Sequence, residues 1–179
     1  MTLALVRHGR TAWNLARRMQ GRTDIPLDAF GRAQAIAAGE LLSRARWHRI
    51  VSSPLDRAME TAGLISALLP GLAVVPDADL IERDYGRAEG MPVSEVHERW
   101  PDGAYPDGEP LAEITARARR VLEQIDGQAG HSVVVAHGSL LRIGVAALTG
   151  TACPRILNGQ VVLLESADDG AFRARFLSA

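Results

Sequence analysis

The chain opens MTLALVRHGRTAWN, residues 1–14, and the reading of this stretch decides the fold. Thr2 to Val6 are apolar enough for a strand buried on both faces, which is the signature of a parallel-sheet core. The strand then ends abruptly in Arg7, His8 and Gly9: a cation, a titratable ring and a residue free to turn. In open α/β sheets, ligands sit beyond the carboxyl ends of the strands. Arg7 and His8 therefore stand where a site belongs.

The 179 residues suit one domain, expected to run over 1–179. A hydrophobic fraction of 47% supplies a core, and a net charge of −1 provides no global field for nucleic acid or an anionic membrane. The apolar runs near 132 and 161 are strand-length, far too short to cross a bilayer. No basic segment followed by an apolar stretch and a cleavage site opens the chain, so no signal peptide is expected. The lone Cys153 excludes an intrachain disulfide and is compatible with a cytoplasmic location. All 20 basic residues are arginine. The absence of lysine removes Walker-A, Schiff-base and lysine-base chemistry.

Outward from the first strand, a short helix is expected over Thr11–Arg18 and a turn-rich loop over Gly21–Leu27. Asp28 then caps a helix with Phe30, Ala33, Ala37 and Leu41 on one face. Arg49–Val51 reads as a strand. SSPLDRAMETAGLISALL, starting at Ser52, reads as a helix with a serine cap and Pro54 at its first position. Leu72–Val75 follows as a strand. Residues 77–109 are looser, with ten acids against three arginines, and are expected to form a lid-like excursion. Leu111, Ile114, Ala118, Val121 and Ile125 mark a helix, Ser132–Ala136 a buried strand, and Ser139–Leu148 another helix. Val161–Leu164 and Phe172–Leu177 flank Asp168-Asp169-Gly170, a hairpin signal ending in an edge strand with one wet face. The expected fold is a three-layer α/β/α sandwich whose central sheet is mainly parallel, with one antiparallel edge strand.

Three strand ends then carry related chemistry: Arg7-His8-Gly9, Ser52-Ser53-Pro54 with Arg57 in the next turn, and His137-Gly138-Ser139. Two arginines and two histidines distant in sequence converge on one spot. Arginine forks match phosphate oxygens and stay charged, and helix N-termini add N–H donors. A histidine nitrogen is a competent nucleophile once a carbonyl holds the other. A metal site built on His8, His137 and an acid is the rival reading, but no HxH, HExxH or paired-Asp motif supports it. Cys153 lies in ACPRI, which is not a cysteine-phosphatase loop, and reads as a packed thiol. His48, His97 and His131 read as surface or structural residues.

LVRHGRTAWN, QGRTDIPLDAFGRAQA, SSPLDRAMETA, LIERDYGRAEG, YPDGEPLAE and VVVAHGSLLR occur in the order found in the histidine phosphatase superfamily. The chain resembles the phosphoglycerate-mutase-like branch of that superfamily over nearly its whole length. The resemblance implies that His8 becomes phosphohistidine while Arg7, Arg57 and His137 clamp the phosphoryl oxygens. Glu82 would protonate the leaving oxygen and then activate water. Asn14, Gly9, Arg10, Gln20, Gly21, Gly138 and Ser139 would contact substrate. Departures from the pattern fall at Arg10, where relatives often carry Glu or Gln, at Ala88, where many carry Trp, and at Pro110, where Ser is common.

The expected activity is a metal- and cofactor-independent hydrolysis of a small phosphomonoester through phosphohistidine. A phosphoglycerate mutase is the first alternative. Such mutases carry a longer insertion after the acid glutamate than the stretch between Glu82 and Asp107 here. A non-catalytic phosphoester binder is the second, and it would need neither nucleophile nor acid. Arg10, Arg17, Arg18 and Arg22 make the mouth basic and suit a second anionic group, whereas the acidic 77–109 segment would repel a polyanion. These opposing fields point to a neutral or singly anionic body. Oligomeric state, monomer or homodimer, is not legible.

Overall fold

Strand β1 (Thr2–Arg7) lies inside a six-stranded sheet, and its side chains alternate between two cores. The structure is a computed structural model and describes residues 1–167 and 170–177. The other strands are β2 (Arg49–Ser52), β3 (Val74–Pro76), β4 (Ser132–Ala136), β5 (Val161–Ser166) and β6 (Phe172–Phe176), in the spatial order β3-β2-β4-β1-β5-β6. Strands β3, β2, β4 and β1 are mutually parallel. β5 runs antiparallel to β1, and β6 antiparallel to β5, so β5 is the reversed strand and β6 the outermost. Asp168 and Asp169 of the expected hairpin turn lie outside the described residues.

The helices are α1 (Ala12–Leu15), α2 (Ala29–Leu42), α3 (Asp56–Ser66), α4 (Val93–Arg99), α5 (Leu111–Asp126) and α6 (Gly138–Thr149). Leu3 and Leu5 of β1 pack with Ile114, Val121, Leu140 and Leu141 of α5 and α6. Ala4 and Val6 face the other way, onto Ala38 and Leu42 of α2 and Ala58, Ala62 and Ile65 of α3. The neighbours β1 and β4 therefore send the chain to opposite faces, β1 toward α2 and β4 into α6. That divergence opens a crevice at their carboxyl ends, the usual location of an α/β site.

Several boundaries differ from expectation, each for a physical reason. α1 stops at Leu15 because Arg17 takes a left-handed backbone, φ 50°. β3 starts at Val74 rather than Leu72. Asp28 does cap α2, accepting from Gly31 N. The buried face of α2, however, is Gly31, Ala35, Ala38, Gly39 and Leu42, while Phe30 is exposed. Counting apolar side chains missed this face because two of its members are glycines chosen for closeness. A Cβ on Gly31 would stand 2.1 Å from Arg10 O, and one on Gly39 would stand 2.8 Å from Leu68 Cδ1. α3 begins at Asp56 behind Leu55 and has no side-chain cap. The expected serine is engaged elsewhere.

Segment 77–109 packs its own small cluster, in which Tyr85, Ala88 and Val96 meet Met19, Met91, Trp100 and Tyr105. Backbone bonds join it to the loop after α1: Met19 N to Met91 O at 2.8 Å and Gly90 N to Met19 O at 2.8 Å. These bonds fix it as one wall of the crevice.

Candidate active site

The strand ladder runs one residue past β1, because His8 N donates to Ala136 O at 3.0 Å. Ser53 N likewise donates to Val135 O at 2.9 Å, and His137 is the N-cap of α6. Three adjacent strands thus deliver His8, Ser53 and His137 at one level.

The His8 and His137 rings lie with centroids 5.2 Å apart. His8 Nδ1 sits 2.7 Å from Gly9 O, and Arg57 Nε donates to His8 Nε2 at 3.3 Å. Gly9 is held in turn, its N–H donating to Thr61 Oγ1 at 3.1 Å. Burial, with the cations Arg57 and Arg7 adding to it, holds His8 well below the ordinary histidine range. His137 is lowered for the same reasons, burial first, then Arg57, His8 and Arg7. Both rings are therefore neutral at neutral pH, which leaves a lone pair available on each.

Arg57 is fully buried. Its guanidinium is anchored by Gly21 O at 2.6 Å, Thr23 O at 3.0 Å and Asp24 Oδ1 at 3.3 Å, so Nε alone faces His8. Burial lowers its pKa, with Glu82 and Asp24 acting the other way. Arg7 donates through Nη1 to Ile156 O at 2.9 Å. Burial pushes Arg7 down to about 10, and it remains a cation at neutral pH.

Glu82 is held at the N-terminus of α6. Oε1 accepts from Arg83 N at 2.9 Å and Leu140 N at 3.0 Å, and Oε2 accepts from Ser139 N at 3.1 Å. The Ser139 hydroxyl meets the Tyr85 hydroxyl, and burial raises the Tyr85 pKa, which keeps that phenol protonated. Arg7, His8, Asn14, Gln20, Glu82, Gly138 and Ser139 all line one cleft of about 760 Å3.

Three buried polar atoms here have no partner among the described residues: Arg7 Nε, Gln20 Nε2 and His137 Nδ1. An unpaired buried donor costs roughly 1–3 kcal/mol, so such groups normally await a ligand. Gln20 is oriented through a relay. Thr11 N fixes Asn14 Oδ1 (3.2 Å), and Asn14 Nδ2 donates to Gln20 Oε1 (3.1 Å), which turns the Gln20 NH2 outward. The unpaired donors, two neutral rings and buried arginines together suit a tetrahedral anion.

Other expected contacts fall differently. Arg10 is turned away from the cleft; it donates to Asp28 Oδ2 at 2.8 Å and stacks 4.5 Å over Phe30. Although burial works the other way, the Gly31 N–H and Arg10 bonds hold the Asp28 carboxyl below its usual range. Gly21 serves Arg57 through its carbonyl, and Gly9 serves His8. His97, read from sequence as surface or structural, lines the cleft. The sequence reading missed Arg83, Tyr85, Arg142 and Arg155 on the cleft wall, and Asn158, whose Nδ2 donates to His8 O at 3.0 Å. Only Pro154 beside Arg155 hinted that this loop had a fixed course.

The chain is similar to several known proteins. An uncharacterized phosphatase, PhoE, of Bacillus subtilis is 43% identical over 150 residues, covering 83% of this chain and 77% of the relative. A 2,3-bisphosphoglycerate-dependent phosphoglycerate mutase of Gloeobacter violaceus is 36% identical over 157 residues, covering 78% and 72%. A solved mycobacterial glucosyl-3-phosphoglycerate phosphatase, complexed with VO3, superimposes with a TM-score of 0.85 at 30% identity, covering 98% of this chain and 97% of that one. With residues 3–175 matching the sequence pattern of that family, the chain belongs to the histidine phosphatase superfamily, branch 1.

Proposed function

We propose that this protein is a metal-independent phosphomonoesterase that works through phosphohistidine. The observation that carries the reading is the pinned His8 ring: Nδ1 against Gly9 O at 2.7 Å leaves Nε2 as the nucleophile beside Arg57. Nε2 attacks phosphorus, the P–O bond to the alcohol breaks, and Glu82 gives the leaving oxygen its proton. Glu82 then takes a proton from water, whose oxygen bonds to phosphorus as the P–Nε2 bond breaks. Arg7, Arg57, Gln20 and His137 supply donors where charge gathers on the equatorial oxygens. Among the described residues no three His, Cys, Asp or Glu side chains gather as metal ligands, and the cationic surroundings favour an anion at this place.

The substrate carries a second anionic group on its body. Arg7, Arg17, Arg18, Arg83, Arg142 and Arg155 line the cleft, and Glu82 is the acid among its lining residues. Of the other nine acids of 77–109, five pair with arginines that do not line the cleft: Asp84 with Arg22, Asp79 with Arg120, Asp107 with Arg87, Glu95 with Arg99 and Glu109 with Arg117. Arg155 and Arg7 repel one another across the site, a tension that a dianionic substrate relieves. The mycobacterial neighbour, a glucosyl-3-phosphoglycerate phosphatase, fits such a class. Segment 77–109 acts as the specificity wall of a single 1–179 domain.

The test is release of phosphate from p-nitrophenyl phosphate and from 3-phosphoglycerate with EDTA present, and trapping of an acid-labile, base-stable phosphoenzyme that His8→Ala abolishes. Loss of turnover in EDTA with rescue by a divalent metal refutes the mechanism. Isomerisation of 3-phosphoglycerate outpacing its hydrolysis assigns the mutase reaction instead, which the relative from Gloeobacter violaceus keeps in view.

A further inference from the structure

His8 and His137 each have one nitrogen fixed by the protein and one left for a ligand, but the fixed ends are reversed. In His8 the fixed nitrogen is Nδ1, against a carbonyl that can only accept, so Nδ1 carries the proton and Nε2 the lone pair. In His137 the fixed nitrogen is Nε2, 2.7 Å from Ser53 Oγ, and the buried Nδ1 has no partner. A hydroxyl can give or accept this bond, so the tautomer of His137 turns on what else holds Ser53.

Ser53 is fully buried just past β2. Pro54 follows it and has no N–H to offer. The next residue, Leu55, donates its N–H to Ser53 Oγ at 3.4 Å. Among the described residues His137 Nε2 is the acceptor within reach of the hydroxyl proton. The Leu55 bond occupies one of the two Ser53 lone pairs, and the buried hydroxyl proton, which would otherwise go unsatisfied, is directed at the ring.

We propose that Ser53 is a positioning residue that fixes His137 as its Nδ1–H tautomer by donating its hydroxyl proton to Nε2. This deepens the proposed function and rests on it for the identity of the ligand. The same tautomer then does opposite work in the two rings: His8 aims a lone pair at phosphorus, and His137 aims an N–H at a phosphoryl oxygen. With Ser53 accepting instead, Nδ1 would turn a lone pair toward that oxygen and repel it. Protonating His137 would make the choice irrelevant, but burial and the neighbouring cations keep the ring neutral.

Long-range 1H–15N correlation spectra at pH 7.5, with His137 identified by its loss in His137→Gln, read the tautomer directly in the unmodified protein. The expected spectrum has Nδ1 protonated and Nε2 bare. A protonated Nε2, or an even mixture, overturns the proposal whether or not any variant folds. In Ser53→Ala the His137 pattern should shift toward the Nε2–H form, and the affinity for inorganic phosphate should fall about tenfold, the loss of one hydrogen bond to a charged ligand. Ser53→Thr, which keeps the hydroxyl, should restore both. An unchanged spectrum and unchanged phosphate binding in Ser53→Ala also overturn it. A protein that shows the Nδ1–H ring and binds phosphate, yet hydrolyses no ester, refutes the hydrolase and leaves the role of Ser53 standing.

Discussion

Glu82 is held by three backbone N–H groups from two segments, so its carboxyl is placed within tight limits. Glu82→Gln keeps the shape and removes the transferable proton. With an alkyl phosphate, whose alkoxide cannot leave unprotonated, single-turnover rates should fall by about 10²–10⁴. With p-nitrophenyl phosphate, whose leaving group needs no proton, the first step should fall far less; equal losses on both substrates would remove Glu82 from this role. Arg155→Gln tests the second anion contact. Its kcat/KM for 3-phosphoglycerate should drop about tenfold or more, while p-nitrophenyl phosphate changes by less than about threefold, since only the former loses a charge-assisted hydrogen bond. That His8, Arg57 and His137 come together was legible in the sequence, because strand periodicity placed them at or just past strand ends, whereas Glu82 was singled out by the family resemblance alone. Arg155 was not, because it lies in an irregular loop whose course is set by the Arg7 bond to Ile156 O, a contact no local pattern encodes. Arg10 misled for the converse reason: it neighbours the nucleophile in sequence, but Asp28 and Phe30 pull it to the outer surface.

At the scale of elements, helix α2 controls the site without contributing a residue to the cleft. A Cβ on Gly9 would stand 2.2 Å from Gly31 O, and one on Gly31 would stand 2.1 Å from Arg10 O. The turn after β1 is therefore pressed backbone to backbone onto the first turn of α2, and this contact aims Gly9 O at His8. Gly31→Ala should destabilise the fold by about 1–3 kcal/mol, measured by urea denaturation, through forced separation of the two segments. It should also lower kcat, because the carbonyl that holds His8 moves. Gly63 in α3 is the control: nothing lies within 4 Å of an added Cβ, and its backbone is helical. Gly63→Ala should stabilise by about 0.5–1 kcal/mol and leave activity unchanged. Helix positions were readable from periodicity, but the packed face of α2 was not. Glycine carries no hydrophobic signal, and its value here lies in what it allows to approach.

Across the whole molecule, a chain of net charge −1 keeps a cationic cleft by pairing its acids with arginines away from it. His8 and His137 are buried and neutral, and this arrangement has a consequence for stability. In the unfolded chain each histidine titrates at its ordinary value near 6.5, whereas in the folded protein both are held well below it by burial and the neighbouring cations. As pH falls below about 6.5 the unfolded state binds protons that the folded state refuses, so stability is present above that pH and is lost on acidification. Each ring contributes a slope of at most about 1.4 kcal/mol per pH unit. Asp28, whose folded pKa is lowered from 3.8, loses its contribution only as pH falls through that lower range. Urea unfolding between pH 7.5 and pH 5.5 therefore isolates the histidines. The free energy of unfolding should drop by about 1–3 kcal/mol across this window. His8→Asn with His137→Gln should flatten the dependence, even if the variant is less stable at pH 7.5. A pH slope that survives in the double variant would place the titrating groups outside the cleft. Inorganic phosphate at pH 7.5 should stabilise the unmodified protein and fail to stabilise the double variant, because ligand binding adds only the free energy of occupying the folded state.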